Sequence, residues 1–108
     1  MPFSKYQFNN FCFWPSNPKK IIEFIGGSYL ATKPDLTYKR FIESLTEKNY
    51  AVHAYKYLPQ FDHQEIAVNA WKDFRKCKSL LKRRVGRNLE TIRIGHSLGC
   101  KLHLISPD

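Results

Sequence analysis

Thr91-Ile92-Arg93-Ile94-Gly95-His96-Ser97-Leu98-Gly99-Cys100 is the stretch that decides the fold. A short β-branched run leads into Gly-x-Ser-x-Gly, and the residues after it can form a helix. That is the strand–turn–helix setting of a nucleophile elbow. So tight a turn leaves almost no room for a Cβ beside the serine, hence Gly95 and Gly99. It lifts the Ser97 hydroxyl off the strand end and aims the next backbone N–H groups, that of Leu98 first, where a developing oxyanion can bind at a helix N-terminus. The plainer reading is a glycine-rich turn carrying a solvated serine, and the flanking strand and helix argue against it.

Upstream, Ile21-Ile22-Glu23-Phe24-Ile25 reads as a buried strand stopped by Gly26-Gly27. A glycine pair leaving a strand is either an ordinary exit turn or a place where backbone approaches a ligand closely. With an elbow downstream the second reading leads, and Gly27 and Ser28 become the candidates for a second oxyanion N–H. Pro34-Asp35 opens a helix with Asp35 as N-cap, and Tyr38, Phe41, Ile42 and Leu45 make one apolar stripe. Asn49 follows where a left-handed C-cap belongs. Residues 50–57 form the next strand, closed by Pro59, with His53 packed inside it. Asp62-His63-Gln64-Glu65 is a capping box for a helix whose inner face carries Ile66, Ala67, Ala70, Trp71, Phe74, Cys77 and Leu81. After the elbow comes a short helix from Leu98 to Ile105, ended by Pro107.

Before all this, residues 3–14 are aromatic-rich, and Phe11, Phe13 and Phe3 alternate as one half-buried strand would. The whole order is β-α-β-α-β-elbow-α behind a short β segment. Such alternation calls for a mostly parallel sheet with helices on both faces. Right-handed crossovers place the strand at 21–25 between those at 50–57 and 91–94.

The bulk composition sets outer bounds. The 108 residues are 43% hydrophobic and 15% aromatic, which is globular composition for one domain over residues 1–108. No apolar run approaches the ~18–20 residues that span a bilayer, and the N-terminus lacks the layout of a signal peptide. Cys12, Cys77 and Cys100 are an odd number without metal-ligand spacing, so reduced thiols in a cytosol-like compartment are expected, with no metal and no cofactor. The formal charge is +9, from 18 Lys and Arg against 9 Asp and Glu. Lys72, Arg75, Lys76, Lys78, Lys82, Arg83, Arg84 and Arg87 crowd into one helix and its exit. They read as the solvated face of an amphipathic helix rather than a nucleic-acid surface.

The segments Phe24-Ile25-Gly26-Gly27-Ser28-Tyr29-Leu30, Phe61-Asp62-His63-Gln64 and Gly95-His96-Ser97-Leu98-Gly99-Cys100-Lys101-Leu102-His103-Leu104 resemble an uncharacterised α/β-hydrolase-like family of oxygenic phototrophs, known as a domain of unknown function. The resemblance covers about residues 11–105 in ordered blocks. It implies the α/β-hydrolase fold, Ser97 in the nucleophile position and the loop Gly26–Tyr29 in the oxyanion position. It implies no substrate. A cytoplasmic location is expected, or the plastid stroma if the host is a eukaryotic phototroph.

Length is where the pattern departs from that fold, in which the acid and then the histidine follow the serine. His103 lies about 9 Å up the helix, too far to take the Ser97 proton. His96 should point away from the hydroxyl, and Asp108 comes after the histidine, in the wrong order. The triad is therefore not in these residues, and the chain reads as a partial domain truncated after the elbow helix.

Three readings follow. The first is the N-terminal part of a serine hydrolase acting on a small ester or acyl substrate, with the isolated chain inactive. The second is a non-catalytic α/β-hydrolase-fold scaffold. The third is a small basic nucleic-acid-binding protein, and no nucleic-acid partner is expected. An unpaired edge at Thr91–Ile94, with Leu102 and Ile105 uncovered, should make the isolated chain self-associate.

Overall fold

Apolar alternation builds the sheet. In the computed structural model, which describes residues 3–27 and 32–107, the strands are β1 (Phe3–Gln7), β2 (Asn10–Trp14), β3 (Lys20–Ile25), β4 (Tyr50–Tyr55) and β5 (Thr91–Gly95). The helices are α1 (Pro34–Thr37), α2 (Lys39–Glu47), α3 (His63–Val85) and α4 (Leu98–Ile105). The sheet order is β1-β2-β4-β3-β5. β3 lies between β4 and β5 and is parallel to both, while β2 is antiparallel to β4 and to β1. Four of the five strands thus run one way, and β2 alone is reversed.

Strand alternation sends Ile22 and Phe24 of β3, with Val52 and Ala54 of β4, to one face, where Ile42 of α2 covers them. The other face carries Ile25 and Tyr55 under Ile66, Ala70 and Phe74 of α3 and Leu102 of α4. It continues as Cys12, Trp14, Ile21 and Ala51 under Cys77 and Leu81 of α3. Burying about a dozen such side chains at roughly 1.5–3 kcal/mol each is the main force holding the layers together. α3 starts on Asp62, whose Oδ1 accepts the Glu65 N–H at 3.0 Å, and ends on left-handed Gly86.

The structure corrects the sequence reading at four places. The N-terminal β segment is a hairpin of two strands rather than one. Its turn places Phe8 (φ 48°) and Asn9 (φ 57°) in the left-handed region that a two-residue hairpin loop of matching twist requires. Asparagine tolerates that geometry, and the cue was hidden by the aromatic next to it. The helix expected from Pro34 is broken at Tyr38, so α1 and α2 are separate, and Asp35 sits inside α1 while Lys33 is the N-cap. The β4 strand ends at Tyr55, two residues short of Tyr57. Leu102, expected to be uncovered, is fully buried, Ile105 is half-buried against the same core, and Leu104 is the exposed large apolar residue of α4.

Part of the basic stretch is engaged with its own chain. Arg87 Nη2 donates to the Pro18 carbonyl at 3.0 Å and Lys76 pairs with Asp73 at 3.8 Å. Arg75 lies over the Trp71 ring and Arg84 over Trp14. Among the described residues no helix is long and apolar enough to cross a membrane.

Candidate active site

β5 ends at Gly95, α4 begins at Leu98, and Ser97 joins them at φ 59°, ψ −122°. No unstrained L-residue adopts that backbone, and such strain is held only where the surroundings over-determine it. Close packing does so here. A Cβ on Gly95 would lie 2.5 Å from the Cys100 nitrogen, and one on Gly99 would overlap the Ile25 carbonyl oxygen at the end of β3. The His96 N–H donates to that same Ile25 carbonyl at 3.0 Å. The two glycines let α4 descend onto β3, and the descent bends the chain through Ser97.

Ser97 itself is exposed, and its side chain does not cap α4. As the first residue of α4, Leu98 has no intrahelical acceptor for its N–H, which lies at the helix start next to Ser97. Across from it stands the glycine loop: a Cβ on Gly27 would come within 3.3 Å of Ser97 Cβ and 3.7 Å of Ser97 Oγ. Ser97, Leu98 and Gly27 are therefore brought together. Ser28, the other loop candidate, lies outside the described residues, as do Tyr29 and Asp108.

Two tyrosines fasten the loop. Tyr57 Oη donates to the Gly26 carbonyl at 2.7 Å. Burial pushes that phenol up to about 12, so it remains a donor across the neutral range. From the other side Tyr38 Oη accepts the Gly27 N–H at 3.0 Å and meets His96 Nδ1 at 3.1 Å. In this arrangement the Gly27 donor is engaged by Tyr38. Sequence reasoning counted Tyr38 as part of an apolar stripe and Tyr57 as part of a strand. The break at Tyr38 is what turns its ring toward the elbow, and nothing in the local pattern announces it.

The histidines behave differently from one another. His96 is turned to Tyr38. His103 Nε2 donates to the Ile94 carbonyl at 3.0 Å, and the ring stacks on Phe74 at 6.1 Å. Burial holds it below the ordinary imidazole value, partly offset by that backbone bond. His53 is fully buried, accepts from Trp14 Nε1 at 2.9 Å, and is pushed down to about 3 by desolvation. Neither His53 nor His103 approaches Ser97 by hydrogen bonding. Among the described residues no group of three His, Cys, Asp or Glu side chains is placed to hold a metal ion. A cavity of about 820 Å³ opens between the β1–β2 hairpin and α2, and none of the elbow residues lines it.

The class defined so far is a layered α/β protein with a strained serine turn at the end of the outer strand of its parallel run. The chain belongs to the family described as protein of unknown function (DUF1350), whose model matches residues 6–107. No curated protein and no solved structure matches it.

Proposed function

We propose that the chain is the nucleophile-bearing part of a serine hydrolase of the α/β-hydrolase fold, acting on an ester or acyl substrate. The observation that carries this is the exposed Ser97 held at φ 59° between β5 and α4 with Gly27 against it. The glycine loop after the third strand and the serine on a strand-to-helix turn are the relation that an oxyanion site of this type uses. Ser97 Oγ would attack the carbonyl carbon and give its proton to a base. The Leu98 N–H and a donor from the Gly27–Ser28 loop would hold the oxyanion, and the alcohol or amine would leave as the acyl–serine forms. Water would then release the acid. Base and acid would come from residues outside the 108, because His96, His103, His53 and His63 all meet partners other than Ser97.

A fluorophosphonate probe tests the reading on the polypeptide encoded by the full open reading frame. The expected result is a phosphonyl adduct on the Ser97 peptide that vanishes in Ser97→Ala. The 108 residues alone should not turn over a p-nitrophenyl ester, since what remains without a triad is small. An unlabelled Ser97 in a polypeptide that carries a downstream Asp and His sinks the hydrolase reading. Turnover by the 108 residues that depends on Ser97 overturns the assignment of the base to the outside.

The engaged Gly27 N–H favours a second reading, a non-catalytic scaffold of the same fold. Tyr38→Phe discriminates: without its acceptor the Gly27 amide should exchange faster. Labelling of Ser97 retained in that variant means the donor is open to an oxyanion, and labelling in neither protein leaves the scaffold.

A further inference from the structure

The elbow uses none of the chain's two buried cysteines. Cys12 on β2 and Cys77 on α3 are both fully buried and both free, and their Sγ atoms are 3.8 Å apart across 65 residues of sequence. Two small apolar side chains would pack this way too, so contact alone decides little. The surroundings add polarity that packing does not need. Gln7 Nε2 donates to Cys12 Sγ at 3.7 Å, and Cys77 Sγ donates to the Gln7 carbonyl at 3.7 Å. Lys5 is the cross-strand neighbour of Cys12 on β1.

We propose that Cys12 and Cys77 are a dithiol site, converted by a low-molecular-weight disulfide such as oxidised glutathione into an intrachain disulfide that ties the β1–β2 hairpin to α3. Closing from 3.8 Å to the ~2.05 Å of a disulfide asks each sulfur to move by about 0.9 Å, within the reach of small χ1 adjustments. Gln7 Nε2 donates to Cys12 Sγ and Lys5 lies opposite it on β1, so negative charge is better supported at Cys12 than at Cys77. In the same sense, the contact between the two thiols and the Gln7 bond hold Cys12 below its ordinary value, whereas that contact and burial push Cys77 up. Cys12 is accordingly the attacking thiolate and Cys77 the resolving thiol.

The exchange balances in two steps. The Cys12 thiolate attacks one sulfur of the oxidant. The oxidant's S–S bond breaks, and one glutathione leaves and takes up the proton that Cys12 had lost. Cys77 then gives up its proton and attacks the Cys12 sulfur, displacing the second glutathione, which takes that proton. Two protein thiols are oxidised and one external disulfide is reduced to two thiols. Access comes from the edge of the sheet: among the described residues β1 pairs only with β2, and the Gln7 end of the hairpin contacts both sulfurs. Local opening there exposes the pair without unfolding β3 or β5.

The test uses the 108-residue chain with the exposed third thiol removed (Cys100→Ser). It is equilibrated across a series of reduced-to-oxidised glutathione ratios, both in buffer and in concentrated urea. Samples are then acid-quenched, alkylated and mapped by mass spectrometry. The expected result is a Cys12–Cys77 linked peptide, two mass units lighter than the reduced pair. It should form in buffer at ratios at least tenfold more reducing than in urea, and raise the urea midpoint of the chain. Cys77→Ser should instead accumulate a glutathione adduct on Cys12. Equal linkage in buffer and urea, alkylation of both cysteines at every ratio in buffer, or stable glutathione adducts on the pair would each overturn the proposal.

Discussion

Ser97 carries a backbone conformation worth about 1–3 kcal/mol of strain, and it is the only non-glycine residue of the elbow with positive φ. Glycine adopts φ 59° without a Cβ penalty, at some cost in unfolded-state entropy. Ser97→Gly should therefore raise the stability of the chain by about 1 kcal/mol, and Ser97→Ala should leave it nearly unchanged. Urea unfolding of the three proteins measures this. A Ser97→Gly chain no more stable than the parent means the turn stores no strain. Stability gained by deleting a side chain is what a site kept for chemistry rather than for folding predicts.

At the scale of elements, the site depends on how closely α4 meets the end of β3. The contact is made by Gly99 against the Ile25 carbonyl, backbone on backbone, so neither partner can swing aside. Gly99→Ala should cost ~3 kcal/mol or more, at the upper end of what overpacking does. Gly27→Ala meets the Ser97 side chain at 3.3 Å and the His96 carbonyl at an ordinary 3.8 Å, and should cost less than about 1 kcal/mol. Equal losses in thermal midpoint for the two variants would show that the α4–β3 approach is not the tight point. The same geometry explains why the glycine loop needs two tyrosines: a chain leaving β3 in the shadow of α4 has few backbone partners, and Tyr57 and Tyr38 supply one on each side.

Across the whole molecule one transverse row ties stability to pH. Cys12, His53, Glu23 and Arg93 sit side by side on β2, β4, β3 and β5, all facing α3. His53 Nε2 accepts from Trp14, so the neutral ring carries its proton on the buried, unpartnered Nδ1. Its folded value, about 3, lies below the 6.5 of an unfolded histidine. The unfolded chain therefore binds a proton in that window and the folded chain does not. The His53 contribution is full above pH 6.5 and falls as pH drops, by at most about 1.4 kcal/mol per unit. His103, also held down, acts in the same direction. Glu23 opposes it: burial holds its carboxyl up against the pull of Arg93, so its contribution grows as pH falls through its own range. His53→Gln keeps an acceptor for Trp14 and should flatten the stability profile between pH 6.5 and 5. An unchanged slope would mean that His53 titrates normally. β5 is also an edge strand among the described residues, bonded to β3 alone, and Leu104 nearby is exposed. Sedimentation velocity should reveal concentration-dependent association of the isolated chain, accompanied by ANS binding. A monomer at every concentration with no ANS signal would overturn that expectation.

Much of this was legible from residues alone. Gly95-x-Ser97-x-Gly99 announces its turn because the constraint is local: a serine bracketed by two missing Cβ atoms between a β-branched run and a helix. The Asp62 cap of α3 and the left-handed Asn49 are local in the same way. The central place of β3 follows from the handedness of crossovers, which no side chain needs to announce. Tertiary structure decided the rest. The break at Tyr38, its bond to Gly27, the burial of Leu102, the Cys12–Cys77 contact and the His53 row all join residues far apart in the chain. Their partners are set by strand register and by which face each helix covers. Register is a property of the assembled sheet, and a one-residue slip of β2 or β4 would turn Cys12 or His53 away from α3 to the opposite face.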